Sequence, residues 1–128
     1  MARIAVVDDD PDVRDFISVI LSEDGHEVVT ADDGLSAQTL ISKAAPDLMV
    51  LDILMPNRDG LATILELRRE GRGFPILAMS AGGMMDSGYL LKTARTFGAD
   101  ETLFKPFSPE QLRKGVNALL RGDGEGSR

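Results

Sequence analysis

The feature that most constrains this chain is an alternation. Five runs of strand length are separated by segments with helical periodicity, and four of the five stop on a carboxylate, a hydroxyl or an ammonium. Residues 3–7 (RIAVV) stop at Asp8, residues 47–51 (DLMVL) at Asp52, residues 75–79 (PILAM) at Ser80 and residues 101–104 (ETLF) at Lys105. These four are nearly continuous apolar runs, as strands buried on both faces must be. The fifth, residues 27–30 (EVVT), is shorter and more polar and passes blandly into Ala31.

The intervening segments read as helices. Asp10 and Pro11 suit an N-cap and first helical position, since proline lacks the N–H that is unpaired there. Val13, Phe16, Ile17, Ile20 and Leu21 then share one face, and Gly25 ends the helix. A second helix runs from about Leu35 to Ala44, with Leu35, Ala37, Leu40, Ile41 and Ala44 as its apolar face. A third starts near Asp59, and a fourth covers roughly Ser87 to Phe97. The last opens with Ser108-Pro109-Glu110-Gln111, a capping box with proline at the first position. The sum is five βα units, which predicts an α/β fold with a parallel sheet covered on both faces and right-handed crossovers.

With 128 residues, one domain is expected. We place it at residues 1–121, followed by a disordered, acidic, glycine-rich tail over 122–128. The chain has no cysteine, which removes disulfides, thiolate metal sites and cysteine nucleophiles. Its formal net charge of -7 disfavours a broad nucleic-acid or anionic-membrane surface and suits a protein that binds cations. No apolar run approaches a membrane span, and MARIAVVDDD turns acidic too soon for a signal peptide. The expectation is a cytoplasmic protein, with no DNA-binding output domain in these residues.

In open α/β sheets, ligands sit beyond the carboxyl ends of the strands. Strand ends bearing Asp8 and Asp9, Asp52, Ser80 and Lys105 would meet there if strand two lay at an edge. Three converging carboxylates repel one another and need a cation. A hard divalent ion with oxygen ligands, Mg²⁺ above all, fits that need. The ion, a lysine and a hydroxyl form a clamp for the oxygens of a transferring phosphoryl group, and one carboxylate can act as nucleophile. Each part also has an ordinary structural reading. Asp8-Asp9-Asp10 can be a capped loop, Asp52 a turn residue, Ser80 a cap and Lys105-Pro106 a surface turn. Four coincident strand ends favour the joint reading.

The motifs VVDDDPDVR (6–14), LMVLDILMPNRDG (48–60), LAMSAGG (77–83) and LFKPF (103–107), in this order, resemble the response-regulator receiver domains of two-component signalling. The resemblance covers residues 3–120. It implies a doubly wound, flavodoxin-like (βα)5 sheet with strand order 2-1-3-4-5. It implies that Asp52 is the phosphoacceptor and that Asp8, Asp9 and Asp52 hold Mg²⁺ with the backbone carbonyl of Leu54. Ser80 would be the hydroxyl that moves onto the phosphoryl group. Lys105 would pair with its oxygens, held by a cis Lys105-Pro106 peptide, while Asp10 would cap the first helix. The activity implied is signalling, with no catalysis beyond phosphoryl transfer and dephosphorylation at Asp52. The partners implied are a sensor histidine kinase or a histidine-phosphotransfer protein and a downstream protein target, with the chain a monomer or weak dimer. The lone histidine, His26, falls at the amino end of the sheet as a solvated loop residue and is no phosphodonor.

Some positions depart from the family pattern. Receivers usually carry an aromatic residue three positions before the lysine, and here that position is Thr102. The loop 81–88, with Gly82, Gly83, Met84 and Met85, is longer than usual and offers another route for a signal. Leu54 and Gly82, at positions that tune hydrolysis in the family, have no side chain able to position water, so a long-lived phosphoryl state is expected. The basic groups Arg68, Arg69 and Arg72, and Arg113, Lys114 and Arg121, read as solvated helix faces.

Readings from other classes fit less well. A haloacid-dehalogenase-type phosphohydrolase would need Thr or Val where Asp12 stands and would leave Asp52 unexplained. A calcium loop on Asp8, Asp10 and Asp12 would need glycine at Val13 and glutamate at Val19. A flavin module would place a phosphate against three aspartates.

Overall fold

A computed structural model of the chain describes residues 1–54, 60–81 and 87–122. Five strands, β1 (Arg3–Val7), β2 (Glu27–Ala31), β3 (Leu48–Asp52), β4 (Ile76–Ala81) and β5 (Glu101–Lys105), alternate with five helices. These are α1 (Pro11–Glu23), α2 (Gly34–Lys43), α3 (Gly60–Arg69), α4 (Ser87–Phe97) and α5 (Pro109–Leu120). All strand pairs are parallel, in the order β2-β1-β3-β4-β5. The parallel sheet is the one expected from the alternation, and this doubly wound order, with the polar second strand at one edge, is the one the resemblance implies.

The alternation of side chains across the sheet divides the core in two. Ala5, Val7, Met49, Leu51, Ile76 and Ala78 face α2, α3 and α4, whereas Ile4, Val6, Leu48, Val50, Leu77 and Met79 face α1 and α5. Each central strand therefore has to be apolar at every position, which is why β1, β3 and β4 read as unbroken hydrophobic runs.

The helix starts follow from their caps. The Asp10 carboxylate accepts the Asp12 N–H at 2.9 Å. Asp33 accepts the Ser36 N–H at 2.8 Å to start α2. Ser108 and Gln111 exchange hydrogen bonds of 3.0 and 2.8 Å in the expected capping box.

Several expectations need correction. β5 stands at an edge, as the expected order 2-1-3-4-5 requires, but it is only partly buried and not covered on both faces as its run was read, with Phe104 half exposed. Leu35 and Phe16 are largely exposed, not core. Phe16 instead lies against Phe107, with ring centroids 6.0 Å apart. His26 is half-buried, and its Nδ1 accepts the Ala2 N–H at 3.2 Å, so it ties down the start of β1. The expected start of α3 at Asp59, the loop residues 82–86 and the tail 123–128 lie outside the described residues.

Arg68 is the largest departure from a solvated basic face. Its guanidinium donates to the carbonyls of Gly98 (2.8 Å), Arg72 (2.7 Å) and Phe74 (2.8 Å) and to the Asp100 carboxylate (2.9 Å). Asp100 in turn accepts the Ile76 N–H at 2.9 Å. One side chain thus fastens the ends of α3 and α4 to the start of β4. Burial pulls the Arg68 pKa down despite the partly compensating charge of Asp100. Gly98 has φ +128°, and a Cβ there would fall 2.7 Å from Arg68 Cγ, so the clamp also needs that glycine. Arg68→Ala leaves Asp100 and three carbonyls short of a donor and should cost about 2–4 kcal/mol in urea unfolding. Exposed Arg69→Ala should stay within about 0.5 kcal/mol.

Candidate functional site

The chemistry gathers at the carboxyl edge of the sheet. Asp8 immediately follows β1, while Asp52 and Lys105 are the last residues of β3 and β5. Asp8 is fully buried and Asp52 is 5% exposed. Lys105 Nζ donates to Asp8 Oδ2 at 2.8 Å and lies 3.3 Å from Asp52 Oδ2. One carboxylate oxygen from each of Asp8, Asp9 and Asp52 falls within 4.8 Å of the others. Asp9 is exposed, so the cluster opens to solvent on that side.

Backbone groups aim these side chains. The other Asp8 oxygen accepts the Asp10 N–H at 2.9 Å, so the cap residue of α1 also fixes Asp8. Asp52 Oδ1 accepts the Leu54 N–H at 3.1 Å in a tight turn beyond β3. The Leu54 side chain is exposed.

The electrostatics follow from burial. Desolvation, with the Asp8 charge adding to it, raises the Asp52 pKa from 3.8 to about 6, although the Leu54 N–H and Lys105 favour its ionised form. Burial works against the Lys105 ammonium, but the hydrogen bond to Asp8 and the charges of Asp52 and Asp8 prevail and hold its pKa above the ordinary value. Three carboxylates facing one ammonium leave an excess of negative charge. That donor set, all oxygen and open on the Asp9 side, fits a hard divalent cation.

Ser80 lies one position beyond Met79, the β4 partner of Asp52. It is fully buried, and among the described residues its Oγ has no hydrogen-bond partner. The structure therefore brings Asp8, Asp9, Asp52 and Lys105 together directly. It sets Ser80 on the neighbouring strand with an unengaged hydroxyl. Lys105-Pro106 is cis, as the resemblance implies.

Two positioning residues carry no role in the sequence reading. Arg14 Nη1 donates to the Asp8 carbonyl at 2.7 Å and pins the turn that presents Asp8 and Asp9. Gly60 donates its N–H to the Ile53 carbonyl at 2.9 Å. A Cβ on Gly60 would collide with the Ile53 backbone and sit 2.6 Å from the Asp52 carbonyl. The Asp-Gly pair in LMVLDILMPNRDG was the available signal for this close approach.

The sequence profile of the response regulator receiver domain matches residues 4–117. The chain is a receiver domain. Response regulator MprA of Mycobacterium sp. strain KMS is 43% identical to this receiver over 119 residues, 93% of this chain and 50% of MprA. The DNA-binding dual master transcriptional regulator RpaA of Synechocystis sp. is 37% identical over 123 residues, 94% of this chain and 50% of its own length. The receiver thus spans about half the length of the curated relatives it matches. The solved receiver domain of NtrX from Brucella abortus superposes with a TM-score of 0.85 at 35% identity, covering 92% of this chain and 98% of that one.

Two outcomes test this account of the site, one electrostatic and one steric. Between about pH 4 and pH 6 the raised Asp52 pKa makes the folded state bind more protons than the unfolded state, so Asp52 lowers stability as pH rises through that window. In metal-free buffer, Asp52→Asn should therefore gain stability over wild type with rising pH. At pH 7.5 it should exceed wild type by on the order of 1 kcal/mol in thermal unfolding. Gly60→Ala should lose about 1–3 kcal/mol, because its Cβ meets backbone that cannot step aside.

Proposed function

We propose that this receiver, as part of a two-component response regulator, accepts a phosphoryl group on Asp52. The observation that carries the reading is the Asp52 carboxylate, buried, 3.3 Å from Lys105 and within 4.8 Å of two further carboxylates. With a pKa of about 6 it is mostly ionised at neutral pH and available as a nucleophile. The donor is a phosphohistidine of a sensor histidine kinase or histidine-phosphotransfer protein. An Asp52 oxygen attacks phosphorus, the O–P bond forms as the N–P bond breaks, and the imidazole leaves with the electron pair.

Asp8, Asp9 and Asp52, with the Leu54 carbonyl, would hold the Mg²⁺. The ion's chemistry is to neutralise charge on the phosphoryl oxygens. Lys105 already bridges Asp8 and Asp52 and is placed to pair with a phosphoryl oxygen while keeping Asp8 fixed. The buried Ser80 hydroxyl has a donor to offer and no acceptor among the described residues, which suits a move onto the new group. Phosphorylation adds roughly -1.5 to -2 charges at this edge and biases the neighbouring face toward a protein target.

The exposed apolar side chain of Leu54 supports a long-lived phosphoryl state, since it cannot orient an attacking water. The companion position, Gly82, lies outside the described residues. The acidic net charge of -7 supports protein partners over nucleic acid. No helix among the described residues is long and apolar enough to cross a membrane. A cytoplasmic setting, a monomer or weak dimer, and a domain limit near residue 121 complete the reading. Asp10, which a phosphohydrolase of the haloacid-dehalogenase type would need in the site, is engaged in capping α1.

Intact mass after incubation with Mg²⁺ and a small acyl phosphate tests the proposal. Wild type should gain one phosphoryl group, and Asp52→Asn should gain none. Uptake by the variant, or none by wild type, would overturn the assignment.

A further inference from the structure

Of the three carboxylates gathered at the carboxyl edge, two are held by other groups of the chain and one is not. Asp8 accepts from Lys105 and from the Asp10 N–H, and Asp52 accepts from the Leu54 N–H and lies beside Lys105. Asp9 is exposed, and among the described residues its side chain has no hydrogen bond or ion pair. Yet one of its oxygens lies within 4.8 Å of oxygens of Asp8 and Asp52. Like charges repel, so Asp9 is kept toward the other two by the backbone that carries it. Arg14 anchors that backbone. The Asp8 carbonyl belongs to the peptide unit joining Asp8 to Asp9, and Arg14 Nη1 donates to it at 2.7 Å. A peptide unit is planar, so fixing its carbonyl also fixes the Asp9 N–H and the line to the Asp9 Cα. On the other side, the Asp8 N–H donates to the Ala31 carbonyl at 3.2 Å. Arg14 is itself well seated. It is the fourth residue of α1, its N–H donates to the Asp10 carbonyl at 3.0 Å, and helical side chains lean toward the amino end. Among the described residues its guanidinium has no carboxylate partner. It lines a polar cleft with Thr30, Asp32 and Ser36, where water reaches its charge.

We propose that Arg14 is a positioning residue that sets the cation affinity of this cluster, and its preference for Mg²⁺, by aiming the Asp9 carboxylate. The inference rests on the Mg²⁺ site of the proposed function. Two effects of Arg14 oppose each other there. Its positive charge disfavours a cation nearby. Its bond to the Asp8 carbonyl preorganises the one ligand that nothing else holds. Solvated charge is screened within about 8 Å at physiological salt. Loss of a group that orients a metal ligand typically costs roughly 10–100-fold in affinity. The anchor therefore prevails over the charge. Selectivity follows from the demands of the ions. Mg²⁺ requires near-ideal octahedral ligands, while Ca²⁺ accepts variable ones. A loosened Asp9 thus costs Mg²⁺ more than Ca²⁺, although the two ions carry the same charge.

Calorimetric titration of the full chain with Mg²⁺ and with Ca²⁺ tests the proposal, in about 0.15 M salt so that the charge is screened. Circular dichroism on the same samples checks that each protein is folded. Arg14→Met should bind Mg²⁺ about tenfold more weakly than wild type, with a clearly smaller loss for Ca²⁺. Unchanged or tighter Mg²⁺ binding by Arg14→Met would show that only its charge is felt at the cluster. An equal loss for both ions would show a general loosening. Either result would overturn the proposal. Wild type that binds no Mg²⁺, or binds it equally well after Asp9→Ala, would instead remove the metal site from the proposed function, and this inference with it. Should Arg14→Met fail to fold, Arg14→Gln, neutral, polar and shorter, gives the same comparison with the same expected order.

Discussion

Two buried carboxylates share one ammonium at the end of the sheet, and much of the molecule is arranged around that imbalance. Asp8, Asp52 and Lys105 stand at the carboxyl ends of three different strands, so they meet only because β1, β3, β4 and β5 lie side by side in parallel. The cost of holding these charges out of water is offset by the bonds between them and by backbone donors at Asp10 and Leu54. It is not offset fully, since Asp52 holds its proton to about pH 6. A site left with surplus negative charge is a site prepared for a cation, and the exposed side at Asp9 gives one a way in.

The framework and the site edge are stabilised by different means. At the amino end of β4, Arg68 joins α3, α4 and the strand through neutral carbonyls and a single carboxylate, a closed set of bonds. At the carboxyl end, the set is open. Among the described residues the Ser80 hydroxyl has no partner, and the one Lys105 ammonium is shared between two acids. The closed set and the open one thus stand at opposite ends of the same sheet, and ligands of such folds bind at the carboxyl end.

Much of this was legible in the residues. Buried parallel strands must be apolar at every position, so β1, β3 and β4 announced themselves, and the caps at Asp10 and Ser108 marked helix starts. The polar residues that stop four of the five runs pointed to one edge of the sheet, because an unpaired charge is costly inside an apolar core. What was not legible depends on distant parts of the chain. Arg68 sits in a run of basic residues, and nothing nearby tells that its partners are Phe74, Gly98 and Asp100. The expected strand order put β5 at an edge, but the run ETLF did not reveal how exposed that would leave Phe104. Likewise Gly60 looks like any turn glycine until the Ile53 backbone is seen against it.

The idle hydroxyl of Ser80 has a consequence for populations. An enclosed hydroxyl with no partner among the described residues raises the free energy of that arrangement by about 1–3 kcal/mol. Any arrangement that gives it an acceptor recovers that amount, which tilts the balance between the two by roughly one to two powers of ten. On the proposed function, the protein at rest is biased in advance, and a phosphoryl group on Asp52 would have to supply only the remainder.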